Sequence, residues 1–586
     1  MKKKLRVIII TLVVLLAGTG AFLWKMNNMS KEIEEKEQAL LKEELDLLEE
    51  QKGKVIDQVK EVDIIPLYLS GSEKNVVTTD FSSVEEIYSV AKSASVEENL
   101  TAIKKNKAFT TQDALWAYNP YGTNRNSMYV YFETGGNCYV RYTISVKDQS
   151  IADFTRTAYA RSAGNVTKEH EYQLVGLVAG QTNYIHMKLY NKDDELSEAK
   201  TFSVDIPASG VGAPNLLASK KGVSRKTISN GLFTVFQQGK KAGKTRQTAI
   251  LLYDNSGVLR GEIPTNHYIG RNMEQIYDTI TYAASPHQIV QVNSLGQVTK
   301  AVGINGYNQA GEFAYDGYGN IYAIATANQK GASPRSKVLQ VELETGKVTQ
   351  VLDMEDVLKS VYRKSVKQAK KKSVNWIDLN SIQVTGTNKL LLSSKKLSSI
   401  FHVSNVGSLL PKVNYIIADK KIYNSYKNLQ KKVLTKASEE EEGASEPTAT
   451  PGVRNILRKP VVPDPFVSQY GQEAMAYRKR SAEGQYDLSM FSSNTGTGAS
   501  GDGSSYYLSF RVDETTNTYQ LKKKNKTELN RNDGNYILDG DQYIYCRSDG
   551  KSFKEADTTG RLIREYTTQS RPYRVYKKDF KDFWFR

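Results

Sequence analysis

The stretch YDNSGVLRGEI (253–263) pairs an apolar strand end with an Asx-x-x-Gly turn and a second β-rich run, and it does not occur alone. VNSLGQVTKAV (292–302), ELETGKVTQVL (342–352) and ADTTGRLIREY (556–566) repeat the strand, glycine turn, strand unit. Gly257, Gly296 and Gly346 stand 39 and 50 residues apart, close to the ~40–50-residue period of propeller blades. Four-stranded blades at that period fill residues 215–586 with about six repeats. Because the repeats are degenerate, spacing alone leaves a barrel or a second sandwich open beside the propeller.

Upstream of Pro214 the pattern differs. SMYVYFETGGNCYVRYTISV (127–146) and NYIHMKLYNKDDELSEAKTFSVDI (183–206) alternate apolar and polar residues between Gly, Asn and Asp turns, which predicts a β-sandwich of about Ig size over 63–210. The 36 tyrosines against 17 phenylalanines suit strands with an amphipathic face. A length of 586 residues exceeds one core. The expected class is all-β: a sandwich followed by a six-bladed propeller.

The amino end sets the compartment. MKKKLR precedes the uncharged apolar run Val7–Trp24, long enough for a spanning helix with its basic flank in the cytoplasm. Phe22, Leu23 and Trp24 prolong that run past the small residues Ala17–Ala21, which favours an uncleaved signal-anchor (1–28) over a cleaved signal peptide. Either reading makes the rest extracytoplasmic, attached to the cell membrane by a single pass in the anchor case. Residues 29–62 are rich in Glu, Lys and Leu, with apolar positions at Leu41, Leu45, Leu48, Val55, Val59 and Val62. They predict a helical stalk, read equally as a homodimerising coiled coil or a solvated spacer.

Lys and Arg exceed Asp and Glu by 80 to 64, a formal +16, which favours anionic surroundings such as an envelope polymer, with nucleic acid the minor reading. Cys138 and Cys546 lack metal-ligand spacing, so neither a metal site nor a disulfide framework is expected. Two insertions interrupt the repeats: EDVLKSVYRKSVKQAKKK (355–372), expected to be helical with a basic end, and the acidic, Pro-containing linker at 437–452.

The motifs also resemble a family, the bacterial aryl-sulfate sulfotransferases that use no nucleotide donor. NPYG (119–122), MYVYF (128–132) and EHEYQLVGLVAGQTN (169–183) resemble its small amino-terminal β domain; GLFTVF (231–236) with LLYDNSGVLR (251–260) resembles its first blade. NWIDLNSIQVTGTNKLLLSSKKLSSIFHV (375–403), YGQEA (470–474) with YDLSMFSSNTG (486–496), and SRPYRVYK (570–577) are similar to later blades. The resemblance implies a propeller funnel in which a histidine takes a sulfuryl group from a phenolic sulfate ester and passes it to a phenol acceptor. It implies no cofactor and no metal.

Carried over position by position, that chemistry is missing. Where the family has its nucleophilic histidine after Gly-Gln, this chain has Glu473; a second histidine position holds Asp378, and the arginine of Ser-Ser-Arg is Lys395, followed by Lys396. Two further histidine positions fall on Ala314 and Tyr315. The five histidines present, His170, His186, His267, His287 and His402, match none of these. Glu473, Asp378 and Lys395 are thus the candidate catalytic positions, with Tyr315, Asn380, Lys396 and Tyr470 as candidate substrate contacts. An anionic carboxylate ~4 Å from an aryl sulfate costs about 4 kcal/mol at an effective dielectric of ~20. Four readings stay open: polar residues that only line a solvated funnel and bind ordered water, a family enzyme using another nucleophile, an altered acid/base enzyme in which Glu473 and Asp378 face each other, and a propeller that binds a ligand without turnover.

Overall fold

The computed structural model describes residues 54–69, 75–226, 228–242, 245–370, 373–437, 468–499, 504–528, 533–547 and 550–586. The expected anchor at 1–28, most of the stalk and nearly all of the 437–452 insertion lie outside them. Among the described residues no helix is long and apolar enough to cross a membrane.

The carboxy-terminal part of the expected stalk is not a continuous helix. Val55–Gln58 and Glu61–Asp63 are single 3-10 turns, and Val59 and Lys60 between them are extended. The β-branched run Val55, Ile56, Val59, Val62, Ile64 and Ile65 ahead of Pro66 restricts side-chain rotamers in a helix and favours extended backbone. The described residues divide into two compact units, with the boundary between Ile64 and Ile65.

In the sandwich the 20-residue strand Ser127–Val146 serves both sheets. Its first half pairs with Leu115–Tyr118 and Thr167–Val175, its second with Phe154–Thr157 and Thr182–Tyr190. The register breaks between Glu133 and Cys138, and such a break lets a strand bend from one sheet to the next. Helix Val90–Lys104, capped by the Ser89 hydroxyl, was not expected; its apolar spacing is weak, and it buries only Ser93, Val96 and Leu100.

Six four-stranded antiparallel units follow, two of them carrying an added strand, and they form a six-bladed propeller. The innermost strands are Pro572–Lys578, Met273–Ile276, Tyr307–Tyr315, Leu379–Gly386, Gln472–Lys479 and Gly534–Asp539. The ring closes twice. Pro572–Lys578, from the end of the chain, supplies the inner strand of the first blade by pairing with Leu232–Gln237. Ala218–Lys221, from its beginning, adds the outer strand of the sixth.

The glycine turns of the repeats join the third and fourth strands of their blades. Gly257, Gly296, Gly346 and Gly560 all have positive φ, a conformation glycine adopts without a Cβ penalty. In three of them an Asx oxygen (Asp254, Asn293, Asp557) accepts two backbone N–H groups of the turn. The basic insertion is helical as expected, Met354–Val357 then Lys359–Ala369, between blades three and four. Sandwich and propeller share one core: Tyr129, Val130 and Leu174 belong to the same buried cluster as Phe236, Ile250 and Ile263. Arg125 pairs with the buried Glu262 at 2.9 Å, and Trp584 Nε1 donates to Gln173.

Candidate functional site

YGQEA opens the inner strand of the fifth blade with a distorted backbone. Gly471 has φ +58°, and a Cβ there would lie 2.5 Å from Ser493 Oγ and 2.6 Å from the Thr495 carbonyl. Ala474 also has positive φ, and the pairing register shifts between Glu473 and Ala476. The fourth blade clamps this bulge: Asn380 Nδ2 donates to the Gln472 carbonyl at 2.7 Å, and Ser381 Oγ accepts from Met475 N at 3.0 Å. Gln472 Nε2 returns bonds to the carbonyls of Ser394 and Ser399. The DLNS and YGQEA motifs, distant in sequence, are therefore one structural joint.

The joint points the buried Glu473 into an ion cluster. One carboxylate oxygen lies 2.8 Å from Lys395 Nζ and the other 2.8 Å from Arg574 Nη2. Lys395 also reaches Asp533 at 3.2 Å. Arg574, on the closing strand, spends its donors on three other blades: Glu473 of the fifth, the Gly534 carbonyl of the sixth at 2.8 Å, and Glu312 of the third at 3.3 Å. Its guanidinium also lies over the Tyr573 ring, 4.4 Å from the centroid.

Burial, followed by the neighbouring Asp533 carboxylate, pushes Glu473 up to about 7 even though Lys395 and Arg574 pull it down. Burial also acts to raise Asp533, but Lys395 and Arg574 outweigh it and hold that carboxyl well below the usual range. Burial lifts Glu312. For Lys395 burial works against the charge, and the Glu473 and Asp533 carboxylates more than reverse it. Two carboxylates on one lysine thus carry unequal proton affinity, with Glu473 the protonatable member.

Past this layer, further along the same inner strands, is a cavity of about 440 Å³ lined by residues of all six, among them Glu274, Glu312, Tyr315, Gln383, Tyr477 and Tyr576. Glu312 belongs to both, pairing with Arg574 in the ion cluster and lining the cavity.

The expected pairing of Glu473 with Asp378 is replaced by another. Asp378 turns to Arg335, Nε to Oδ1 2.7 Å, and the carboxylate that shares Lys395 with Glu473 is Asp533. Asp378 has φ +56°, which redirects its side chain just before the inner strand. Asn380 is fully buried in the interblade joint, Tyr470 donates to Asp419 at 2.9 Å, Tyr315 lines the far cavity, and the Lys396 carbonyl accepts from Thr497. Glu473 and Lys395 are thus the only two of these candidates that the structure brings into contact within the ion cluster. Asp533, Glu312 and Arg574 were missed. Arg574 lies in SRPYRVYK, and its role depends on the closing strand reaching the first blade.

The histidines sit elsewhere. His170 lies between Thr134 and Tyr172, His186 bonds Thr201, and His402 bonds Thr385; burial pushes all three down to about 4. Cys138 and Cys546 are separate free thiols, both buried. Among the described residues no group of three or more His, Cys, Asp or Glu could hold a metal ion.

The sequence profile described as Arylsulfotransferase (ASST) matches residues 218–570, and that described as Arylsulfotransferase Ig-like domain matches 115–207. No curated protein matches the chain. Among solved structures, an auxiliary nutrient binding protein from Bacteroides thetaiotaomicron VPI-5482 is similar at 10% identity and TM-score 0.30, covering 76% of this chain and 88% of that one. The periplasmic gluconolactonase of Pseudomonas aeruginosa is similar at 8% identity and TM-score 0.32 (75% and 99%), and BamB of Moraxella catarrhalis at 8% and 0.29 (60% and 97%). Those scores carry no argument about this chain. The profile, which spans more than half of the 586 residues and all of the blades' strands but the closing one, does: the chain belongs to the arylsulfotransferase family.

Proposed function

We propose that this arylsulfotransferase-family chain binds a ligand without transferring sulfuryl groups, that its amino-terminal segment anchors it outside the cytoplasmic membrane, and that the ligand is an anionic envelope polymer. One observation carries the loss of turnover: Glu473, at the position of the family's nucleophile, is fully buried, with one oxygen on Lys395 and the other on Arg574. Attack on sulfur needs a lone pair facing the sulfuryl group. Here the carboxylate lies buried between two cations, and turning it toward a sulfuryl group would separate buried opposite charges. The formal +16 supports an anionic ligand.

A second reading has its own observation. Glu473 and Asp533 share Lys395 with their proton affinities pushed apart, as in sites that use one carboxyl as acid and the other as base. Sulfuryl transfer from a chromogenic phenyl sulfate to a phenol by the purified full chain, beside Glu473→Ala, tests the proposal. Release no faster than in buffer is expected. Turnover that Glu473→Ala abolishes would overturn it.

A further inference from the structure

The basic insertion has no part in the channel, but it has a neighbour of like charge. Helix Lys359–Ala369 links the outer strand of blade three to the inner strand of blade four, and the turns Lys420–Tyr423 and Lys427–Gln430 link blade four to blade five. In a four-stranded antiparallel blade the fourth strand ends where the first begins, so both linkers lie on the face from which the inner strands start. Both seat apolar side chains on one core: Val361 belongs to the buried cluster of blades three and four, and Tyr362, Ile422, Tyr426 and Leu429 pack against it. They also touch directly, with Lys364 Nζ 5.3 Å from the centre of the Tyr426 ring.

Outward, the two linkers are basic. Lys359, Arg363, Lys367 and Lys370 are exposed, and their i, i+4, i+8, i+11 spacing puts them on one helix face. At 1.5 Å per residue the charges recur about every 6 Å. Lys420, Lys427 and Lys431 are exposed on the neighbouring linker. None of these seven forms an ion pair among the described residues. The nearby carboxylates are engaged otherwise: Asp353 and Glu355 with Lys337, and Asp419 with Tyr470 and Lys436. Of the acidic residues in the two linkers, Asp356 alone is exposed, and it stands in the separate turn Met354–Val357.

Helix stability does not account for this arrangement. The helix dipole favours cations in the last turn and disfavours them in the first, yet Lys359 is the first residue, and no side chain caps the helix at Leu358. Lys359 with Arg363, Arg363 with Lys367, and Lys427 with Lys431 are like-charge pairs four residues apart, which repel. An anion from outside the fold relieves that repulsion. Lysine supplies flexible point charges rather than a fixed fork, and these stand on an exposed face rather than in a pocket. The anion they suit is therefore long and flexible, not small and shaped.

We infer that this two-linker face docks an extended anionic polymer whose charges, phosphate or carboxylate, recur along a flexible chain. The inference rests on the binding reading above and gives its ligand a surface. The sandwich, which stands between the amino-terminal segment and the propeller in the chain, shares its core with blades one and two, so this face lies across the ring from it. That placement favours a polymer over the bilayer that the segment would anchor.

Binding of labelled polyphosphate and labelled poly-L-glutamate to the purified full chain, with inorganic phosphate as the monomeric competitor and at two salt concentrations, tests it. Arg363→Gln with Lys367→Gln, and Lys427→Gln with Lys431→Gln, are compared with Lys220→Gln and Lys221→Gln, an equal loss of charge on the exposed outer strand Ala218–Lys221. Glutamine keeps the helix propensity, and the charges removed repel one another, so the linker variants should fold as the parent does. Expected is binding of one or both polymers, weakened by salt, with about a fivefold or greater loss in each linker variant and none in the outer-strand variant. The polymer that binds tells phosphate from carboxylate. Inorganic phosphate binding as tightly as the polymers would overturn the extended ligand. Polymer binding that the linker variants leave intact, or that the outer-strand variant weakens equally, would overturn this face while leaving a binding propeller. Binding that emerges only after Glu439 to Glu442 are all changed to Gln would assign the face to the chain's own acidic run and overturn the proposal. No binding of either polymer by any form would overturn both the face and the proposed ligand class.

Discussion

Glu473 Oε2 and Arg574 Nη2 are 2.8 Å apart with neither side chain exposed. They come from the fifth blade and from the strand that closes the first, so one buried ion pair joins two blades that are not neighbours. Breaking a buried pair from one side leaves an uncompensated charge, at a cost of about 3–5 kcal/mol. Glu473→Ala should lower stability by that order, seen as a lower denaturation midpoint. Replacing both members, Glu473→Leu with Arg574→Met, should recover part of the loss, because this pair is removed together while Glu312 and Lys395 each give up one partner. A double variant as unstable as the sum of the singles would contradict this account.

The same pair forecasts what histidine will do at position 473. Glu473→His restores the family's residue type but leaves Lys395 and Arg574 beside it; these cations disfavour the imidazolium and keep only Asp533 and Glu312 as carboxylate partners. We expect no sulfuryl transfer from a phenyl sulfate and a lower midpoint than the parent. Recovered turnover would show that the channel still admits the substrate.

The pH dependence has a definite sign. Glu473 is raised from 4.5 to about 7, so the native state holds a proton that the unfolded chain has released. Its contribution is fully present below about pH 4.5 and is lost as pH rises through about 7, a span worth roughly 3 kcal/mol. Asp533 is shifted down and acts oppositely, its contribution fading only in acid below the ordinary Asp range. Denaturant unfolding between pH 5 and 8 should therefore show the parent losing stability relative to Glu473→Gln, and equal slopes would refute the assignment.

What the sequence disclosed follows from how local each feature is. Four glycine turns betrayed blades one, two, three and six because a positive φ favours glycine at a fixed offset; blade five lacks the unit because Asn517 takes the left-handed position in its third-to-fourth turn, and it was read from the YGQEA motif instead. Glu473 and Lys395 were found from motif positions. Asp533, Glu312 and Arg574 were not, since only ring closure brings three strands 40 to 262 residues from one another in sequence to a single cluster. Asp378 misled for a local reason, its left-handed backbone, which the identity Asp allows and does not announce.

Gly471 offers a test of the joint itself. Its φ of +58° and the 2.5 Å and 2.6 Å approaches waiting for a Cβ combine backbone strain with a clash against the Thr495 carbonyl, which is backbone and cannot swing aside. Gly471→Ala should destabilise by more than the ~1 kcal/mol of a left-handed alanine alone, whereas Gly317→Ala, also at positive φ but in open space, should cost only that strain. Similar midpoints for the two would mean that the YGQEA bulge relaxes freely.

Closure of the ring makes the strongest demand. Ending the chain at Arg571 removes Pro572–Lys578, and with it six paired residues of the first blade's inner strand, the Arg574 bridge to three blades, and the Trp584 anchor on the sandwich. The first blade would present Leu232–Ala242 as an unpaired edge lining the channel, a template for aggregation. Because the lost strand belongs to the innermost layer, it cannot be replaced by repacking from outside. The truncated chain should fail to give a soluble product with a cooperative transition, and supplying 572–586 as a separate peptide should restore one if strand closure is the cause. A truncated chain that folds cooperatively by itself would show that the five remaining inner strands hold the propeller without it.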